Sequence, residues 1–151
     1  MRTAGRHLLE RGAAVVVDAD AADLDKALKS ALGADRPALV VENLGGPWLD
    51  LAARFAAPGG RIMVVGLLAG LRAEITVGLL IHKNLKIEGL SVGYFTPEEA
   101  RTAWSEVVCL LNRAGQRPAV GCLVGFEEVQ AGFDRLSQGL LGKVVVRMTE
   151  S

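Results

Sequence analysis

Four short apolar runs, at 14–17, 38–41, 61–65 and 85–90, set the rhythm of this chain. Each ends in a polar or glycine-bearing turn, and helix-period segments lie between them. That alternation predicts βα units and a parallel sheet. The first helix is expected over 3–12, closed by Gly12. Residues 21–32 place Leu24, Ala27, Leu28, Ala31 and Leu32 on one helical face before Gly33 stops the run. Pro47 suits a first helical position with Gly46 as N-cap, and Trp48, Leu51, Ala52 and Phe55 then follow at helical spacing. Pro58-Gly59-Gly60 breaks that helix and launches the run at 61–65. Residues 66–77 read as a loop, with a short extended piece at 74–77, and a brief helix at 78–83 leads into 85–90.

The clearest start signal comes next. Thr96-Pro97-Glu98-Glu99 combines an N-cap threonine, a proline at the first position and a glutamate at the third, which is a capping box. Ala100, Ala103, Trp104, Val107, Val108 and Leu111 are expected to face a core, and Gly115 ends the helix. Residues 118–124 read as extended. Residues 126–136 read as a helix with Phe126, Val129, Phe133 and Leu136 as its stripe. After a turn between Gly139 and Gly142, KVVVRM at 143–148 closes the chain as a strand.

In open parallel sheets, ligands bind outside the carboxyl ends of the strands. Those ends fall at 42–46, 66–70 and 90–93. Glu42-Asn43-Leu44-Gly45-Gly46 follows a strand and opens a helix, whose amino-terminal amides attract anions. The bland alternative is that Gly45-Gly46 only turns the chain tightly. Gly66-Leu67-Leu68-Ala69-Gly70 and Ser91-Val92-Gly93 carry the same pair of readings, with glycine permitting close approach of a flat ring. Three such turns facing one crevice weigh more than any one alone.

Composition narrows the classes. Lys+Arg and Asp+Glu are balanced at 17 each, so no broad charge favours nucleic acid or an acidic membrane. No apolar run approaches the roughly 20 residues of a membrane span. Two cysteines, Cys109 and Cys122, in apolar settings lead us to expect a reduced, cytoplasmic protein. His7 and His82 have no partners at metal-ligand spacing, and Lys83 and Lys86 are expected to be solvated. No nucleophile–base pairing stands out, so no catalytic or metal residue is assigned. No two glycines are separated by a single residue, so the pyrophosphate-binding G-x-G-x-x-G is missing, as is a Walker A sequence.

ERGAAVVVDAD (10–20), LVVENLGGPWLDLAARFAAPGGRIMVVGLLAG (39–70), LLIHKNLKIEGLSVG (79–93), LLNRAGQRPAVGCLVGFEEVQAGFDRLSQG (110–139) and GKVVVR (142–147) resemble the medium-chain dehydrogenase/reductase superfamily. The likeness lies in its quinone oxidoreductase-like and zinc-type alcohol dehydrogenase branches. The resemblance implies the carboxyl-terminal Rossmann portion only: an α/β fold lacking the first two strands and the glycine-rich loop. It implies a partial cofactor domain at 1–117, and a return segment at 118–151 that packs on the catalytic domain in full-length relatives. It also implies NADPH or NADH as cofactor, with Asn43 and Leu44 near its ribose and Gly66, Leu67, Leu90 and Ser91 near its nicotinamide. Hydride transfer to or from a quinone, enone, aldehyde or alcohol follows by the same resemblance, with this chain inactive alone.

The missing strands leave two outcomes: the gap closes and 14–17 pairs beside 38–41, or the chain is a fragment whose edges need a partner. Open edges favour a homodimer or a missing catalytic domain as partner. Two other classes compete. One is a non-catalytic oligomerisation or regulatory module. The other is a Rossmann-type methyltransferase, which requires an antiparallel terminal hairpin.

Overall fold

The structure, a computed structural model, describes residues 3–148. They form two compact units, one running to Phe95 and the other from Thr96. The first holds helices α1 (Thr3–Glu10), α2 (Leu24–Leu32), α3 (Trp48–Phe55) and α4 (Val77–Lys83), and strands β1 (Leu39–Glu42), β2 (Arg61–Val64) and β3 (Lys86–Gly89). The strands form one parallel sheet in the order β1-β2-β3. Each strand returns through a helix, which is what a parallel neighbour demands.

Register and alternation decide what the sheet buries. Val40, Ile62 and Ile87 are aligned across the three strands, so all three lie on one face. Ala53 and Ala56, at the end of α3, pack with Ile62 as a fully buried core, and Leu49, Val64, Leu79 and Leu85 pack around it. Alanines let the helix approach the sheet closely. The opposite face carries Leu39 and Val41, both more than half exposed, and an ion pair across strands, Arg61 Nε to Glu88 Oε1 at 3.5 Å. β1 and β3 are the outer strands of this sheet.

Charged side chains tie the helices together. The Asp23 carboxylate caps α2 by accepting from Lys26 N at 2.9 Å. Arg54 on α3 donates to Asp25 on α2 at 2.6 Å and reaches Asp50 Oδ2 at 3.3 Å. Asp50 in turn accepts from Thr76 N, at the start of α4, at 2.9 Å. The Thr76 amide, and secondarily Arg54, hold the Asp50 carboxyl below its ordinary value.

Two sequence expectations fail in this unit. Residues 14–17 are not a strand. Their valines have strand propensity, but a strand's amides and carbonyls need a neighbour. None of the described strands pairs with this segment. Lys83 is not simply solvated. Its Nζ donates to three carbonyls at the end of α3, those of Ala53 (3.1 Å), Arg54 (2.6 Å) and Ala56 (3.0 Å). Helix C-terminal carbonyls have no internal partners and carry negative potential, so a cation is favoured there. Burial, with Arg36 nearby, draws the Lys83 pKa down.

The second unit holds α5 (Pro97–Arg113), β4 (Val120–Gly125), α6 (Val129–Ser137) and β5 (Lys143–Arg147). The capping box is formed as read: Glu99 N donates to Thr96 Oγ1 at 3.3 Å, and Thr96 N donates to Glu99 Oε2 at 2.8 Å. β4 and β5 pair in parallel through the α6 crossover. The antiparallel terminal hairpin of a methyltransferase is therefore contradicted. Gly132 on α6 is buried against Val124 and Val144, where a Cβ would sit 2.9 Å from Val144.

The apolar stripes of this unit are placed differently from the sequence reading. Trp104 and Phe133 are 65% and 62% exposed, and Phe126, Val129, Leu136, Val107 and Val108 are exposed as well. Ala100 and Ala103 are also exposed, and only Leu111 among the expected core positions of α5 is half-buried. Periodicity identifies an apolar face but not what covers it. Here α6 uses Gly132 for contact with the strands, which leaves its aromatic stripe on the outside.

Candidate functional site at the carboxyl ends of the strands

The site begins where β1 ends. Glu42 is the last strand residue, 5% exposed, and its side chain folds back over the turn that follows. Its two oxygens accept from Leu44 N at 2.7 Å and Gly45 N at 2.8 Å. The amides that could have held a foreign anion are thus already occupied by a carboxylate of the chain itself. The anion-cradle reading of Glu42–Gly46 gives way to the tight-turn reading.

That turn is pressed onto the loop after β2, backbone against backbone. Glu42 O accepts from Val65 N at 2.8 Å, and Leu44 O accepts from Ala69 N at 2.6 Å. Gly45 and Gly70 form an isolated parallel bridge. Gly45 and Gly46 both have left-handed φ, at 69° and 55°. At Gly66 the reason for glycine is space: a Cβ there would lie 2.0 Å from Asn43 O. The end of β3 has the opposite character. Leu90, Val92 and Tyr94 are 46%, 78% and 91% exposed. A short 3-10 turn follows at Val92–Tyr94.

Two grooves result. The first, about 540 Å³, lies at the ends of β2 and β3 and is lined by Gly66, Leu67, Leu90, Ser91, Val92 and Tyr94, among others. Four of the sequence-predicted positions, Gly66, Leu67, Leu90 and Ser91, therefore come together. The second, about 390 Å³, lies between α2, β1 and α3, and Asn43 and Leu44 line it beside Leu28, Trp48 and Phe55. The predicted residues are thus split between two grooves, with Gly66 in the first packed against the main chain of Asn43 in the second.

The first groove has the size of a small-molecule site. None of its lining residues is charged. Its polar side-chain equipment is the hydroxyls of Ser91 and Tyr94, beside backbone groups, and Gly66 lets a flat ring reach the backbone. Such a lining offers no cationic side chain to an anionic group such as a pyrophosphate. Sequence reasoning placed Glu42 in the candidate turn without its carboxylate's role there, and it missed Tyr94. Glu42 was legible as a carboxylate three residues before a glycine pair, the spacing of a side chain folded over its own turn. Tyr94 stood one residue beyond the predicted turn.

No three His, Cys, Asp or Glu side chains come together to hold a metal among the described residues. Cys109 is exposed, and Cys122 is buried with its sulfur 2.8 Å from Arg135 Nη1, which donates to it.

Residues 3–111 match the family described as zinc-binding dehydrogenase. Bovine (Bos taurus) prostaglandin reductase-3 is 27% identical, with 75% of this chain and 34% of that protein covered. A Sinorhizobium meliloti 1021 protein described as an alcohol dehydrogenase superposes with a TM-score of 0.80 at 29% identity, covering 98% of this chain and 42% of that one. CurA from Vibrio vulnificus, solved in complex with NADPH, shares the fold with a TM-score of 0.80 at 19% identity, covering all of this chain and 48% of CurA. The chain thus spans between a third and a half of the length of these relatives. Among the described residues, the matched segment brings no ligand set for zinc together. The chain belongs to the zinc-binding dehydrogenase family of the medium-chain dehydrogenase/reductase superfamily and carries part of its Rossmann-like domain.

Proposed function

We propose that this chain is the nicotinamide-side portion of the cofactor domain of an NAD(P)H-dependent oxidoreductase. The observation that carries it is the uncharged groove at the ends of β2 and β3, where Gly66, Leu67, Leu90 and Ser91 converge. When bound, the nicotinamide would supply the hydride for reduction of a quinone, enone or aldehyde, or accept one from an alcohol. The chain's own residues would bind and orient. Gly66 would admit the ring edge to the backbone, Leu67 and Leu90 would exclude water from its faces, and Ser91 would hydrogen-bond a ribose or carboxamide oxygen. Asn43 would reach the ribose from the neighbouring turn. Catalytic groups and a pyrophosphate grip would come from elsewhere in a complete enzyme, such as a catalytic domain against which residues 118–151 would pack. Alone, the chain would bind cofactor weakly and catalyse nothing.

Calorimetric titration of the purified chain with NADH and NADPH tests this. The expected result is binding weaker than micromolar, with little preference for either cofactor. Micromolar affinity would contradict the dependence on a missing pyrophosphate loop. Absence of binding at millimolar cofactor would remove the groove as a nicotinamide site.

A second reading, a non-catalytic module acting through self-association, is favoured by the uncovered sheet face at Leu39 and Val41 and by exposed Trp104 and Phe133. Light scattering separates the two. A monodisperse dimer supports the module, and a monomer or unbounded aggregate counts against it.

A further inference from the structure

We propose that Glu42 is a positioning residue: its buried carboxylate sets the loop 66–70 that forms one wall of the groove, although Glu42 itself does not line that groove. The placement of the groove's ligand rests on the reading above. The linkage from Glu42 to the loop does not.

The chain of contacts is short. Glu42 is fixed at both ends, its main-chain oxygen on Val65 N and its carboxylate on the amides of Leu44 and Gly45. Both of those residues bond to the loop, and their neighbours Asn43 and Gly46 lie against it as well. Leu44 O holds Ala69 N, and Gly45 bridges Gly70. Gly70 N donates to Leu67 O at 3.1 Å, so the loop closes on a groove-lining residue. Gly45 has no slack, because a Cβ would meet Gly70 O at 2.6 Å and the Leu67 Cα at 3.1 Å. A turn this tight transmits a small displacement rather than absorbing it. A carboxylate suits the task because it accepts two bonds and donates none. An amide at the same place would turn an NH2 group toward a backbone N–H.

The test is amide hydrogen exchange followed by NMR on the full chain, for the native protein and for Glu42→Gln and Glu42→Asp. In Glu42→Gln, exchange at Leu44, Gly45, Ala69 and Gly70 is expected to accelerate roughly tenfold or more, the scale of a lost buried hydrogen bond. Exchange at Ile62 and Ile87 should stay unchanged, which a merely global loss of stability would not allow. Glu42→Asp keeps the charge but is one methylene shorter. It is expected to restore protection in part at all four positions, and it carries the test if Glu42→Gln does not fold. Loosening confined to Leu44 and Gly45 in either variant, with Ala69 and Gly70 untouched, overturns the proposal. NADH added to the native chain in the same experiment reports separately on the groove. Loop loosening in the variants without NADH-induced shifts at Gly66 or Leu67 would sustain the role of Glu42 while removing the nicotinamide reading.

Discussion

The ends of β1 and β2 and the end of β3 lie on the same side of one sheet, yet they are built in opposite ways. The first two are locked together by main-chain bonds, a buried carboxylate and glycines with no room for a side chain. The third opens directly into exposed residues, Leu90, Val92 and Tyr94. The difference separates two tasks that one crevice requires. A closed, over-determined wall holds a geometry, and an open lip leaves surface for a ligand to cover. The groove lies between them.

Substituting glycine on each side breaks the comparison most sharply. Gly66→Ala would force a Cβ to 2.0 Å from Asn43 O, and backbone on both sides leaves nothing soft to yield. A loss of about 3 kcal/mol or more is expected in urea denaturation. A loss below about 1 kcal/mol would show that the wall is not closed. The far end of the sheet offers the next largest effect. Lys83→Met would orphan the carbonyls of Ala53, Arg54 and Ala56, and about 1–2 kcal/mol is expected to be lost. Exchange at the closed wall should be unchanged, because Lys83 lies outside it.

Smaller again is the acid response of the tie between α3 and α4. Asp50 has a folded pKa below its ordinary 3.8, chiefly through the Thr76 amide. Its contribution to stability is therefore complete above 3.8 and is lost as pH falls through the depressed folded value. Acid titration of Asp50→Asn against the native chain should show that pH-dependent difference closing only in that acid window. A difference closing at neutral pH would assign it to another group. On the open side, Gly93→Ala first meets Ser91 Oγ at an ordinary 3.6 Å and should change stability by no more than about 0.5 kcal/mol. A large cost there would mean that the lip is packed after all.

Much of this architecture could be read from the order of residues. Apolar runs of four to six residues with helix-period segments between them located β1, β2 and β3 to within a residue or two. Thr96-Pro97-Glu98-Glu99 placed the start of α5 because a cap is a local event, settled by four neighbouring residues. What failed depended on distant partners. Residues 14–17 have the composition of a strand, but pairing is decided by whether another strand is present. The stripes of α5 and α6 have the right period, but burial is decided by what packs on them. Lys83 was invisible for the same reason, since its three carbonyls lie 27 to 30 residues away in sequence. At the site, the glycines at strand ends were legible, but the carboxylate folding back from Glu42 was not read. The turn that seemed ready for an outside anion is filled from within.

The central claim is that the space between the closed wall and the open lip holds the nicotinamide half of a dinucleotide. An NMR titration of the full chain with NADH tests it most directly. The account predicts weak, saturable shifts concentrated at Gly66, Leu67, Leu90 and Ser91, with Leu28 and Trp48 in the second groove unaffected. Shifts centred on that second groove, or none at millimolar NADH, would contradict it.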